Sequence, residues 1–83
     1  MKILYFARIR QIAGRGSDDL DIPAEVQTVS GLMDYLASQD DGLAAAFSDR
    51  RIVKVAVNQT HVNFDAPLAG AREVAFFPPV TGG

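Results

Sequence analysis

The chain contains no cysteine, and that absence removes a disulfide framework, a thiolate nucleophile and a thiolate metal site together. Any sulfur chemistry it joins must use another atom. Histidine is almost as scarce: His61 stands alone, with neither a second ligand nor a serine nucleophile elbow nearby, and reads as a solvated or rim residue rather than a catalytic base. No glycine-rich phosphate loop leads into Lys-Ser or Lys-Thr. Gly14-Arg15-Gly16 is followed by Asp19 where a dinucleotide fingerprint places its third glycine, so it reads as a turn. Charge of one sign is lacking as well: eight Lys and Arg against ten Asp and Glu leave −2, with no basic stripe, which argues against nucleic-acid binding. Long apolar runs are missing. The opening Met1-Lys2-Ile3-Leu4-Tyr5-Phe6-Ala7 has the look of a signal segment, but Arg8 and Arg10 cut it short, and no other stretch approaches a membrane span. A cytoplasmic protein without membrane attachment is expected, in which the sequon Asn58-Gln59-Thr60 has no use. Asp18, Asp19, Asp21 and the pair Asp40-Asp41 occupy turn and loop positions with no His or Glu added. They read as solvated acids, and no metal is expected.

What is present describes one ordinary domain. In 83 residues, 48% hydrophobic and 22% charged, there is material for a single core and not for a second, so residues 1–83 form one domain. Residues 2–9 alternate, with Ile3, Tyr5, Ala7 and Ile9 on one face and Leu4, Phe6 and Arg8 on the other, as a first strand. The turn cluster Gly14, Gly16, Ser17, Asp18 precedes a second alternation, Asp19 to Ile22, which closes a hairpin before Pro23. Thr28 is placed to cap a helix over 29–38, whose apolar stripe is Val29, Leu32, Met33, Leu36 and Ala37. Gly31, in its first turn, weakens it slightly. Asp40-Asp41-Gly42 ends that helix, and Leu43 to Phe47 predicts a short second helical turn.

Arg51 to Val57 is β-branched, with Val53, Val55 and Val57 on one face and Lys54 and Ala56 on the other. A turn at Asn58-Gln59 leads to a short strand over 60–62, a loop spans 65–70, and Glu73 to Phe77 is the last strand, with Val74 and Phe76 inward. The order is ββαββ or ββααβββ, an α+β chain. The expected core is Ile3, Tyr5, Ile9, Leu20, Ile22, Leu32, Met33, Leu36, Val53, Val55, Val57, Val74 and Phe76. The same alternation turns Leu4, Phe6 and Phe77 outward. Burying a phenylalanine is worth about 1.5–3 kcal/mol, so two exposed ones on neighbouring strands mark a surface that a partner covers.

After Phe77 come Pro78-Pro79-Val80-Thr81-Gly82-Gly83. Prolines without N–H donors neither extend a central strand nor continue a helix, and glycines add no packing. Residues 78–83 therefore predict an extended tail ending in a free carboxylate, able to reach roughly 20 Å. Only glycine is slim enough for a narrow channel. A terminal carboxylate, ionised at neutral pH, is a poor electrophile. Acyl activation needs an adenylate, hence ATP, and with no phosphate loop here it must come from another protein.

Glu73-Val74-Ala75-Phe76-Phe77-Pro78-Pro79-Val80-Thr81-Gly82-Gly83, with Val57-Asn58-Gln59-Thr60 and the opening Lys2-Ile3-Leu4-Tyr5-Phe6-Ala7, resembles the small, sulfur-carrying subunits of molybdopterin synthases, over essentially the whole chain. The resemblance implies a ubiquitin-like β-grasp fold, a mixed sheet of about five strands over one main helix. It implies that Gly83 is adenylated by an activating enzyme of the ubiquitin-activating (E1-like) type, at the cost of ATP, and converted to a thiocarboxylate by a sulfur donor protein, with Gly82 allowing close approach. The tail would then enter the large synthase subunit, in a heterotetramer of two small and two large subunits, and deliver sulfur to cyclic pyranopterin monophosphate. The isolated chain would hold no catalytic site and bind no cofactor. Phe6, Phe77, Pro78, Pro79, Val80 and Thr81 would engage partners, with Arg8 or Arg10 meeting acidic groups at the rim. His61 departs from the aliphatic residue that the family often carries on this face. A ubiquitin-like protein modifier, a carrier for thiamine or tRNA thiolation, and a plain interaction domain are the competing readings.

Overall fold

A computed structural model describes residues 1–79 of the chain. The elements in order are β1 (Lys2–Tyr5), α1 (Ala7–Ala13), β2 (Ser17–Asp19), α2 (Val29–Gln39), α3 (Asp41–Ala46), a single 3-10 turn (Arg50–Ile52), β3 (Lys54–Val57), β4 (Thr60–Val62) and β5 (Glu73–Phe77). The strands form one mixed sheet in the order β2-β1-β5-β3-β4. β1 and β5 run parallel at its centre, with Tyr5 opposite Phe76, and the other pairs are antiparallel. This is the β-grasp arrangement that the sequence leads one to expect.

The first strand is shorter than its alternation predicts. From Ala7 onward the apolar residues Ile9, Ile12 and Ala13 recur at helical spacing, and the chain leaves the sheet at Phe6 to form α1, burying Ile9 and Ala13. Ile9 is inward in both a strand and a helix, which is why period two misleads there. The switch strains the backbone: Ala7 sits at φ 51, a left-handed conformation disfavoured for a residue with a Cβ. Gly14, at φ 81, ends α1 and donates its N–H to the Arg10 carbonyl at 2.9 Å. β1 and β2 are antiparallel neighbours, but a helix rather than a tight hairpin turn joins them. β2 also lies at 17–19 instead of 19–22.

α2 begins where Thr28 predicts it, the Thr28 hydroxyl accepting the Gly31 N–H at 3.1 Å. Its stripe, Val29, Leu32, Met33 and Leu36, packs into the core with Ile3, Tyr5, Val55, Val74 and Phe76. Asp40 is not a solvated acid. Its carboxylate caps α3 by accepting the Leu43 N–H at 2.9 Å. Leu43, Ala46 and Phe47 are buried by this second helix, and the Phe47 ring lies 4.8 Å from Phe76. Leu20, Ile22 and Val57, expected in the core, are only half-buried at its margin. The strand expected from Arg51 starts at Lys54, because Asp49 accepts the Arg51 N–H and winds Arg50–Ile52 into the 3-10 turn.

Asn58 and Gln59, both at positive φ (49 and 69), make the tight turn between β3 and β4. The Asn58 side chain donates to the Gly70 carbonyl and accepts from the N–H groups of Arg72 and Glu73. It thereby ties the β4–β5 connection to the sheet. Among the described residues no helix is long and apolar enough to cross a membrane.

Candidate docking face and sulfur-carrying tail

The sheet has one face on the core and one turned outward, and alternation decides which residues share each. Phe76 is 0% exposed, stacked against Tyr5 at 6.5 Å. Its neighbour Phe77 points the other way and is half-buried. Across the outward face runs an apolar row: Leu4 opposite Ala75, Ala75 opposite Ala56, Ala56 opposite His61. One step nearer the tail, Phe77 faces Lys54 on β3, and the His61 ring lies 5.1 Å from the Phe77 ring. Phe6 continues β1 into this end, its N–H donating to the Phe76 carbonyl at 3.0 Å, and its side chain is 47% exposed. Phe6 and Phe77 thus stand at the same end of the sheet, at the C-terminal ends of the parallel strands β1 and β5.

The remaining expected partner-binding residues surround the same end. Arg10 is exposed on α1, which packs beside β5, and His61 is exposed on the edge strand. Pro78 and Pro79 are half-buried at the end of β5. Val80, Thr81, Gly82 and Gly83 lie outside the described residues. Leu4, Ala56 and Ala75 belong to the face as well. Leu4 is outward as the alternation expects, and the small size of Ala56 and Ala75 hides those two from a search for aromatic anchors, although the strand alternation contains the signal. Lys54 is a further member, visible in the sequence only as the outward residue between Val53 and Val55.

Behind this face a polar cluster holds α1, β2 and α3 in register. The Tyr5 hydroxyl donates to Asp18 at 2.8 Å, and Arg15 donates to both Asp18 oxygens at 2.8 and 2.9 Å. Arg15 also reaches the Ala13 carbonyl and Asp40, with its guanidinium 5.7 Å from the Tyr5 ring centre. Asp18, expected to be solvated, is therefore a structural acceptor. Its carboxyl is held below the usual range, chiefly by the Arg15 hydrogen bond. Burial, followed by the bond to Asp18, pushes the Tyr5 phenol well above its ordinary value. Asp19, Asp21 and Asp41 are exposed. The described residues contain no group of three or more His, Cys, Asp or Glu arranged to hold a metal ion.

The order of the five-stranded mixed sheet, with β1 and β5 parallel at its centre and α2 packed against it, defines the class as a β-grasp protein of the ubiquitin-like kind. The chain belongs to the ThiS family, whose pattern matches residues 3–83. It is similar to the molybdopterin synthase sulfur carrier subunit of Escherichia coli strain K12, with 46% identity over 100% of this chain and 99% of that protein. The subunit of the same description from Haemophilus influenzae is 32% identical, again over 100% and 99%. Among solved structures, the small archaeal modifier protein 1 of Haloferax volcanii superposes with a TM-score of 0.75 at 26% identity, covering 96% of this chain and 97% of that one.

Proposed function

We infer that the chain is the sulfur carrier subunit of a molybdopterin synthase, whose Gly83 thiocarboxylate donates sulfur to cyclic pyranopterin monophosphate to form the molybdopterin dithiolene. The observation that carries this reading is the end-to-end similarity to a molybdopterin synthase sulfur carrier subunit at 46% identity. The exposed Phe6 and the Phe77 ring beside the tail support it. An activating enzyme of the E1 type uses ATP to convert the Gly83 carboxylate into an acyl-adenylate with release of pyrophosphate. A sulfur donor then displaces AMP and leaves a thiocarboxylate. In the large subunit the thiocarboxylate sulfur bonds to a side-chain carbon of the pterin as a carbon–oxygen bond there breaks and its oxygen leaves, water then hydrolyses the acyl–sulfur bond, and the carboxylate returns for recharging. Each sulfur consumes one charged carrier, so a dithiolene takes two.

In this reading the small subunit is a stoichiometric reagent within a sulfurtransferase, binds no cofactor itself, and assembles as two small and two large subunits. Gly83 carries the sulfur and Gly82 lets the tail fit closely. Phe6, Arg10, His61, Phe77, Pro78, Pro79, Val80 and Thr81 contact partners. The likeness to an archaeal modifier protein favours one second reading, conjugation of Gly83 to a lysine. Mass spectrometry of protein isolated from its own cells separates the two: replacement of one oxygen by one sulfur supports the carrier, and conjugates support the modifier. Reconstitution with the large subunit and the pterin precursor tests the mechanism. Only thiocarboxylated protein should yield dithiolene, and removal of Gly83 should abolish transfer with an unchanged melting temperature. Dithiolene formed from the ordinary carboxylate, without ATP, an activating enzyme or a sulfur source, would end the proposal.

A further inference from the structure

The outward face is not uniformly apolar where it meets the tail, and the exception carries information about what covers it. Beside Phe77 lies an open depression of ≈400 Å³, lined by Lys54, Val55, His61, Val62, Asn63 and Phe77. Its lining offers an ammonium, an imidazole and an amide around an aromatic ring, and no carboxylate. Among the described residues, Arg15, Arg50 and Arg51 form ion pairs with Asp18 and Asp40, with Asp34, and with Asp49 respectively. Among the described residues Lys54 makes none, and neither do Arg8 and Arg10 on α1. Of the outward charges on this face of the sheet, Lys54 on β3, Glu73 on β5, Lys2 on β1 and Asp19 on β2, only Lys54 belongs to the strand paired with His61. Glu73 is opposite Lys2, at the end of β5 away from Phe77, about 13 Å along the strand.

A partner that covered Phe77 with apolar surface alone would strip water from the Lys54 ammonium and leave it unpaired, which disfavours binding. Charge complementarity removes that cost. Resting on the reading that this face docks a partner protein, we propose that the depression seats an aspartate or glutamate side chain of that partner, held by Lys54 and His61 against the edge of Phe77. Lys54 and His61 are then specificity-determining residues: they select a partner with a carboxylate at this point and reject one that is apolar or basic there.

Affinity for the large molybdopterin synthase subunit of the same organism tests this, measured by titration calorimetry at low and high salt for the full chain, Lys54→Leu, Lys54→Glu, His61→Leu and Phe77→Ala. Lys54→Leu should weaken binding about tenfold and Lys54→Glu by about a hundredfold or more, with both losses shrinking at high salt. His61→Leu should weaken binding by a few-fold, and less than Lys54→Leu. Lys54 and His61 are exposed, so the melting temperatures of their variants should not move. If Lys54→Leu bound as tightly as the unaltered chain while Phe77→Ala failed, the carboxylate seat would be refuted and docking retained. If Phe77→Ala also bound normally, the docking reading itself would fall. Displacement of the large subunit from the unaltered chain by millimolar inorganic phosphate, with no loss from Lys54→Leu, would mark the depression as a small-anion site and overturn the proposal.

Discussion

Two adjacent phenylalanines give the sharpest test of how the last strand works, because alternation sends them to opposite sides of one sheet. Phe76 is fully buried and packs on Tyr5 and Phe47. Its replacement by alanine removes a ring the surrounding core cannot refill, at a cost of about 3–5 kcal/mol. For a domain of this size each kcal/mol moves the melting temperature by roughly 4–8 °C, and total stability is on the order of 5–15 kcal/mol, so Phe76→Ala should melt far below the parent or fail to fold. Phe77 is half-buried on the other side of the sheet, with the His61 ring centre 5.1 Å from its own. Phe77→Ala should cost the fold only about 1 kcal/mol. Binding should suffer much more, by about 2–4 kcal/mol as for an aromatic anchor, which is roughly 30- to 1,000-fold in Kd. Urea denaturation followed by circular dichroism gives the first quantity, and calorimetric titration with the large subunit gives the second. A Phe77→Ala protein less stable than Phe76→Ala, or one that binds unchanged, would refute the assignment of the two faces.

Two further outcomes concern the fold. The Asp18 carboxyl is depressed in the folded chain, mainly by Arg15; its contribution is present above the unfolded value near 3.9 and is lost as pH falls below it. The Tyr5 phenol is raised by burial and by Asp18, so its contribution is complete below about pH 10 and is lost as pH rises beyond. Denaturation midpoints across pH 2–11 should therefore fall at both ends, and Tyr5→Phe should remove the alkaline fall at a cost of about 0.5–1.5 kcal/mol at neutral pH. At the β3–β4 turn, Gln59→Gly should stabilise by a few tenths to about 1 kcal/mol, since glycine accepts the positive φ at no steric cost. Asn58→Gly should destabilise despite its own positive φ, because three side-chain hydrogen bonds disappear. Thermal melts of the two variants check this pair, and equal effects would contradict it.

Much of the fold was legible in the sequence where a local pattern and a global need coincide. Thr28 and the stripe from Val29 to Leu36 specify α2 because one spacing serves both helix periodicity and burial. The alternation from Glu73 to Phe77 specifies β5, the inward Phe76 and the outward Phe77, since a strand has only two faces. The same alternation turns Phe77 and Leu4 to the side of the sheet opposite Phe76 and Ile3, as the structure has them. Tertiary structure decided the rest. Ile3, Tyr5, Ala7 and Ile9 alternate as a strand, yet the chain turns at Phe6 into a helix, because packing α1 beside β5 and α3 buries Ile9 and Ala13 at the expense of a left-handed Ala7. Asp18 and Asp40 look like solvent acids until Arg15 comes between them, 3 and 25 residues away along the chain. Strand order is decided at the same level. Lys54, His61 and Phe77 belong to three strands, and nothing in their local sequence says that β3 lies between β4 and β5. Their meeting depends on a sheet order reached by burying one common core, which is a property of the whole chain and of no segment within it.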